Sequence, residues 1–310
     1  MSAAVAIPIS AQPLHDSPLI PAVTAPFKPA LERKNSPPYS PLCWGHRGKQ
    51  QSPDAVASIP SSDPLLDRTT NGTGRIQTQK YHGVLDKLVT NKSPHQRIPT
   101  FRETIALLMK PNNMHVFLNI DVKVFNEPVR LFTLMNEIIS SYEDYETLLA
   151  PRLVLGLWHP KYLQPARDII PYLRLAHIGM STALARKHFW DSCGSFSMNF
   201  SCLVGGDGEA FRSECKAAGK DVYVWTVNKR SEMIEATKWG AKAILTDRTA
   251  EFLALREQME NDWSTVSSET TWRFAWTSIW YTSLANYFVS EWERYLLTSV
   301  GGPMIKPSRP

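Results

Sequence analysis

The residues best suited to chemistry lie in Gly45-His46-Arg47-Gly48, directly after the short apolar run Leu42-Cys43-Trp44. Histidine transfers protons near neutral pH, and the arginine guanidinium binds phosphate oxygens in a bidentate geometry. The flanking glycines allow sharp backbone geometry and close approach of a ligand. The pattern predicts a phosphate-ester site at a strand end, with His46 as the proton-transfer group and Arg47 as the phosphate clamp.

A second charged pair, Asp121 and Lys123, belongs to the apolar run Val116–Val122. Residues two apart on a strand share a face, so both side chains would line one site. Charges on an otherwise apolar strand need pairing or a metal ion, which leaves a structural ion pair and metal ligation by Asp121 as alternatives. One carboxylate alone binds Ca²⁺ or Mg²⁺ poorly, because these cations need several oxygen donors.

The elements that would position these residues alternate along the chain. The predicted strands are Leu42–Gly45, Val116–Val122, Arg152–Trp158, Arg174–Gly179, Phe196–Phe200, Val222–Val227 and Ala241–Thr246. The predicted helices are Phe101–Lys110, Val129–Tyr142, Lys161–Tyr172, Gly208–Ala218, Ser231–Trp239 and Ala250–Met259. Such alternation predicts a parallel sheet.

One strand is missing from this pattern, since a closed parallel barrel has eight. Short βα connections join the other neighbouring strands, whereas residues 46–115 contain no strong strand and no amphipathic helix before Phe101. So long a structureless interval is unusual inside a compact domain. The missing strand is therefore expected between Gly45 and Val116.

Composition excludes several classes of protein. The chain has 310 residues and a net charge of +5, but its basic residues are scattered, which argues against a nucleic-acid partner. Four cysteines without paired spacing predict reduced thiols in a cytosolic protein, not a disulfide framework or a zinc site. No stretch reaches the roughly 18 uncharged apolar residues that span a bilayer. Residues 1–40, rich in Pro, Ala and Ser, predict a disordered leader.

With motifs further along the chain, Gly45-His46-Arg47-Gly48 resembles the glycerophosphodiester phosphodiesterase family, and most of all its fungal members related to the phosphatidylglycerol-specific phospholipase C. The further motifs are Asp63-Pro64-Leu65-Leu66-Asp67-Arg68-Thr69-Thr70-Asn71-Gly72-Thr73-Gly74, Ile98-Pro99-Thr100-Phe101, Asn119-Ile120-Asp121-Val122-Lys123, Val224-Trp225-Thr226-Val227-Asn228 and Gly240-Ala241-Lys242-Ala243-Ile244-Leu245-Thr246-Asp247. The resemblance covers about residues 41–256. It implies a TIM-type (β/α)8 barrel, hydrolysis of a glycerophosphodiester or glycerophospholipid, and a divalent cation, Ca or Mg.

The resemblance also implies residue roles. His46 and Arg47 match the first catalytic histidine and the phosphate clamp. Asp121 matches the third metal carboxylate, and Lys123 is the matching lysine, which like Arg47 would bind the substrate. Trp225 and His159, both at strand ends, are further candidates to contact the substrate. Trp225 would stack on its glycerol or acyl-glycerol part, with core packing an equal alternative.

Part of the family pattern is absent. Ser62 stands before Asp63, where the family has its second histidine, and no Glu-x-Asp occurs between Gly48 and Asp63. The first helix and second strand of the family are therefore expected to be missing between about residues 51 and 62, where the eighth strand is also missing.

Three interpretations follow from this loss. The first is a hydrolase of this family that is impaired, because the members of a catalytic unit fail together. The second is a catalytically inactive, phospholipid-binding or membrane-associated barrel protein. The third is an incomplete translation of an active enzyme, with an exon lost between Gln51 and Ser62, because natural proteins avoid unpaired barrel edges.

The C-terminal segment is aromatic from Trp272 to Leu297. Positions 276, 280, 284, 288, 292 and 296 have the i, i+4 spacing of one helical face. Both a helix packed on the barrel flank and an interfacial helix in a lipid headgroup layer fit this pattern.

The sequence divides the chain into a leader (1–40), a barrel domain (41–260) and an aromatic amphipathic segment (261–310). We expect a cytoplasmic protein, peripheral on an intracellular membrane or lipid droplet.

Overall fold

The computed structural model of the protein describes residues 40–45, 65–93, 95–269 and 283–305. His46, Arg47, the predicted leader and the predicted deletion lie outside these residues. The predicted division into leader, barrel and C-terminal segment stays a prediction.

Seven parallel strands form one sheet in the described part of the chain. They are β1 (Leu42–Gly45), β2 (Leu118–Val122), β3 (Leu153–Leu157), β4 (Arg174–Gly179), β5 (Ser195–Asn199), β6 (Asp221–Trp225) and β7 (Ala243–Thr246). Their order is β1-β7-β6-β5-β4-β3-β2. The predicted strands are confirmed, with ends displaced by no more than two residues.

In the described residues, the sheet is that of a parallel barrel without a strand between β1 and β2. Leu42 to Gly45 pair with Ala243 to Thr246 of β7, which joins the first strand to the last. At the other end of the order, β2 pairs with β3. Among the described residues no strand pairs with both β1 and β2. This topology confirms the predicted TIM-type barrel fold, and the predicted loss of one internal helix-strand unit is consistent with it.

The helices pack around this sheet. They are α1 (Phe101–Leu108), α2 (Pro128–Ile139), α3 (Leu163–Ile169), α4 (Thr182–Leu184), α5 (Gly205–Ala217), α6 (Arg230–Lys238), α7 (Thr249–Asn261), α8 (Trp263–Ser268) and α9 (Ser283–Gly301). Six of them confirm the helices predicted between Phe101 and Met259; α4, which continues as a π turn over Ala185–Phe189, was not predicted.

Local sequence explains where two of these helices begin. Thr100 and Glu103 form a capping box at the start of α1, each side chain accepting a hydrogen bond from the backbone of the other. Glu127 accepts from the backbone N–H groups of Val129 and Arg130 at the start of α2, where Pro128 occupies the first helical position.

The loop after β2 is held by the helix layer. The Tyr162 hydroxyl lies 2.8 Å from the carbonyl oxygens of both Lys123 and Asn126. Lys161 Nζ donates to the Val124 carbonyl at 2.6 Å. These contacts fix the backbone that carries Lys123 beyond the end of β2.

The last helix lies against the loops that follow β3 and β4. Leu297 is buried, while Phe288 and Trp292, two members of the predicted aromatic face, are exposed. The structure therefore shows a helix packed on the barrel through one face. In the described residues no helix is long and apolar enough to cross a membrane.

Candidate functional site at the carboxyl edge of the sheet

The predicted site residues Asp121, Lys123 and Trp225 lie at the carboxyl edge of the sheet. Asp121 is in register with Gly156 of β3, and Trp225, the last residue of β6, is in register with Asn199 of β5. Strand ends at this edge carry the active sites of parallel barrels. The position is therefore the one where a site is expected.

Four side chains make contact there, and we call Asp121, Lys123, Trp158 and Trp225 the mouth group. Lys123 Nζ donates to Asp121 Oδ2 at 2.7 Å, and Trp158 Nε1 donates to Asp121 Oδ1 at 2.7 Å. The Lys123 ammonium also lies 4.9 Å from the centroid of the Trp158 ring. The Trp158 and Trp225 rings meet edge to face, with centroids 5.7 Å apart.

The charges of the mouth group are half-buried and paired. The side chain of Lys123 is 27% exposed and that of Asp121 is 20% exposed. The structural ion pair, one of the two alternatives for these residues, is thus present. An ammonium has three N–H donors, so Lys123 keeps donors for an anion reaching it from solvent.

The described residues do not form a cation site. Both carboxylate oxygens of Asp121 already accept hydrogen bonds from Lys123 and Trp158. In residues 40–45, 65–93, 95–269 and 283–305, no group of three or more His, Cys, Asp or Glu side chains could hold a metal ion. Ca²⁺ and Mg²⁺ require several oxygen ligands. Ligation of a cation by Asp121 stays a prediction.

Trp225 has one edge in the core and one in the mouth group. Its indole Nε1 donates to the Ser197 carbonyl at 2.8 Å, which fixes the ring plane. The residue is only partly buried and packs on the core cluster. The position is consistent with both predicted roles, contact with substrate and core packing.

His159 is buried apart from the mouth group, and its predicted contact with substrate stays a prediction. Both ring nitrogens are engaged: Nε2 donates to the Gly302 carbonyl at 3.1 Å, and Nδ1 accepts from the Lys161 N–H at 3.1 Å. The ring is fully buried, and this burial lowers its pKa. As the neighbour of Trp158, it points to the opposite side of the chain and holds the end of α9 instead.

Trp158 is the mouth residue that the sequence interpretation missed. It stands two positions beyond Gly156, the register partner of Asp121. Residues two apart share a face, so this register, which the sequence does not give, places Trp158 beside Asp121.

Two of the motifs used for the resemblance meet at the ends of β6 and β7. Asn228 Oδ1 accepts from the backbone N–H of Asp247 at 2.9 Å and from the Thr246 hydroxyl at 3.1 Å. Asn228 Nδ2 donates to Asp247 Oδ2 at 3.1 Å. These bonds join the loops that border the mouth, which is a structural role.

Solved structures share this fold at low sequence identity. A glycerophosphodiester phosphodiesterase from Parabacteroides distasonis has a TM-score of 0.56 and 15% identity, covering 71% of this chain and 98% of its own. A phosphodiesterase from Oleispira antarctica, in complex with the product sn-glycerol-3-phosphate, has a TM-score of 0.52 and 19% identity, covering 70% and 97%. A glycerophosphodiester phosphodiesterase from Agrobacterium tumefaciens has a TM-score of 0.50 and 15% identity, covering 70% and 99%.

The sequence comparisons identify the family. No curated protein matches the chain. The model of the glycerophosphoryl diester phosphodiesterase family matches residues 57–251, which is more than half of the chain. The chain belongs to the glycerophosphoryl diester phosphodiesterase family.

Proposed function

We propose that this protein is a phosphoric diester hydrolase that takes a glycerophosphodiester, free or as part of a glycerophospholipid, at the mouth group. The observation that supports this is the Lys123 ammonium, held by Asp121 and Trp158 at the carboxyl edge of a barrel of this family. A half-buried cation beside the Trp158 ring, which in turn contacts Trp225, suits a ligand with one anionic and one apolar part.

Hydrolysis of a phosphodiester requires few catalytic groups. Water attacks phosphorus, the ester P–O bond breaks, and the departing alkoxide takes a proton, with a general base and a general acid speeding the two transfers. Lys123 would offset phosphate charge, and the Trp225 ring would contact the glycerol or acyl-glycerol part. His46 and Arg47, which follow the end of β1, are the proposed proton-transfer group and phosphate clamp.

We expect low activity, because the second histidine and the Glu-x-Asp of the family are absent between Gly48 and Asp63. The contributions of groups that act as one catalytic unit are not additive, so losing one member lowers the rate nearly as much as losing all of them.

The test is release of glycerol 3-phosphate from sn-glycero-3-phosphocholine, and of diacylglycerol from phosphatidylglycerol vesicles, each with Mg²⁺, Ca²⁺ or EDTA. Activity that His46→Ala abolishes, and that Lys123→Ala lowers at least tenfold, is the expected result. Lys187→Ala, an exposed lysine elsewhere on the barrel, is the matched control. No turnover by correctly folded protein would rule out the hydrolase.

The second candidate is an inactive phospholipid-binding protein at a membrane surface. It is favoured by the outer face of α9, where Tyr287, Phe288, Trp292 and Tyr295 are all exposed. Aromatic side chains of this kind partition into lipid headgroup layers. Flotation with phosphatidylglycerol vesicles is expected to recover the protein, and Phe288→Ser with Trp292→Ser to leave it at the bottom of the gradient. Unchanged flotation of this double variant would contradict the membrane role.

The lost exon is a separate proposal and has its own test. It is supported by the sheet, in which no strand of the described residues pairs with the outer edges of β1 and β2, the strands on either side of the predicted deletion. Sequencing the transcript across the codons for Lys49–Asp67 is expected to reveal additional coding sequence. A continuous message without it would overturn the proposal.

A further inference from the structure

The inner face of α9 is attached to the barrel rim by polar contacts. The Ser290 hydroxyl lies 2.6 Å from that of Ser181, just beyond β4. Gly302, at the end of the helix, receives the hydrogen bond of His159 after β3. Gly301 packs so closely there that a Cβ would lie 2.5 Å from His159 Cδ2. The helix is therefore seated on the loops that carry the carboxyl ends of β3 and β4.

The central contact of this face is a buried carboxyl group. Glu293 is 2% exposed, and both of its oxygens accept from the single Met180 N–H, at 2.9 and 3.0 Å. No cation pairs with it in the described residues. A buried carboxylate with one donor and no counter-ion is costly, so this environment favours the neutral acid.

The group that faces Glu293 from β4 is the imidazole of His177. A Cβ on Gly179 would lie 2.4 Å from His177 Nε2 and 3.2 Å from Glu293 Oε1, so both side chains border the space that this glycine leaves open. His177 Nδ1 donates to the Leu157 carbonyl, which makes Nε2 an acceptor. Nε2 is buried and has no hydrogen-bond partner in the described residues. It is an acceptor to which a protonated carboxyl can turn.

Among the described residues, the other titratable groups near Glu293 do not supply a charge partner. Cys202, after β5, is buried, and burial together with Glu293 and Asp207 raises the pKa of its thiol well above the usual range. Asp207 of α5 is paired with Arg186 at 2.9 Å. On α9 itself, Glu291 and Arg294 pair with each other at the surface.

Burial has opposite consequences for the two facing groups. It raises the pKa of Glu293 to about 7 and lowers the pKa of His177 to about 3. Near and below neutral pH, the pair therefore consists of a neutral acid and a neutral imidazole.

We propose that α9 is a strap that docks on the barrel rim through the neutral acid form of Glu293, and that ionisation of this carboxyl releases the strap. Docking thus weakens as the pH rises from mildly acidic towards neutral. The release would uncover the loops after β3 and β4, beside the mouth group, and free the aromatic helix from the barrel. The proposal concerns the position of the helix and does not depend on whether the barrel hydrolyses a diester.

Hydrogen–deuterium exchange of the full chain between pH 4 and pH 8, corrected for intrinsic exchange rates, tests this directly. In the released state the Glu293 carboxyl ionises at its ordinary pKa of 4.5, whereas in the docked state it keeps its proton up to about pH 7. Between these two pH values, the protection of amides in residues 283–301 is therefore expected to fall by roughly two orders of magnitude. Amides of α2, in the same spectra, report any global change. Glu293→Gln, which keeps a neutral polar side chain, is expected to remove the pH dependence.

Glu291→Gln is the matched control, because it removes the same charge from the exposed side of the same helix and should preserve the pH dependence. Protection in the wild type that does not change with pH, or that changes equally in Glu293→Gln, would overturn the proposal. If Glu293→Gln does not fold, the ¹³C carboxyl resonance of Glu293 in the wild type decides: a midpoint near 4.5 contradicts the strap.

Discussion

At the scale of single residues, Arg152 is a buried cation with no counter-ion among the described residues. It is 6% exposed, and its guanidinium donates to the carbonyl oxygens of Leu148, Leu108, Asn113 and Val116 at 2.6 to 3.3 Å. Four carbonyl dipoles replace a carboxylate, while burial lowers the pKa of the group. The side chain thereby joins the end of α1 and the loop before β2 to the start of β3.

Replacing Arg152 by leucine should destabilise the protein by about 3 kcal/mol, because buried carbonyl oxygens lose their donor while only the apolar stem is retained. Urea unfolding monitored by circular dichroism measures the change. Arg102→Leu, an exposed arginine on α1, should shift the free energy of unfolding by no more than about 0.5 kcal/mol. Equal effects of the two variants would show that the carbonyl cluster contributes nothing specific.

The mouth group marks the limit of sequence reasoning at this scale. That Asp121 and Lys123 share a face, and that their charges need partners, follows from their spacing in an apolar strand. That the partner is the Trp158 indole depends on the register between β2 and β3, which pairing determines. The burial of the next residue, His159, likewise does not follow from its place at a strand end.

At the scale of elements, two glycines in the first turns of α5 have different reasons to be glycine. A Cβ on Gly208 would lie 2.2 Å from the carbonyl carbon of Leu203, whereas a Cβ on Gly206 would meet nothing within 4 Å. The backbone of the preceding 3-10 turn, Phe200–Leu203, cannot move aside as a flexible side chain would.

Gly208→Ala should therefore destabilise the protein by about 1–3 kcal/mol or prevent folding, through overpacking against fixed backbone. Gly206→Ala should be neutral or stabilise by about 0.5–1 kcal/mol, because alanine is the better helix former. Thermal unfolding of the two variants side by side checks the contrast. A Gly208→Ala protein as stable as Gly206→Ala would refute the close approach.

Helix starts with side-chain caps and strands with apolar runs could be predicted, whereas α4 could not. Thr182–Leu184 is short and passes into a π turn over Ala185–Phe189, and the extra residue per turn moves its apolar positions out of the 3.6-residue period. The buried face of α9 could not be predicted either, because Glu293 has the charge typical of an exposed position, whereas the structure buries it.

At the scale of the whole molecule, two buried groups, His177 and Glu293, make the free energy of unfolding depend on pH in opposite directions. His177 is stacked on Phe189, with ring centroids 3.7 Å apart, and folds as the neutral imidazole. Burial lowers its pKa from 6.5 to about 3, so its contribution is present above pH 6.5 and is lost as the pH falls towards 3. Glu293, whose pKa is raised from 4.5 to about 7, contributes below pH 4.5 and loses that contribution as the pH rises through 7.

From these two groups, the free energy of unfolding should fall on both sides of a plateau between about pH 4.5 and 6.5, where the slopes oppose each other. His177→Phe, which keeps a ring against Phe189, should remove the loss between pH 6.5 and 3.5, a change of a few kcal/mol at about 1.4 kcal/mol per pKa unit. Urea midpoints from pH 3.5 to 8 measure the profile. The exposed His115→Phe controls for net charge. If the free energy of unfolding of His177→Phe still falls at acid pH, groups other than His177 cause that loss.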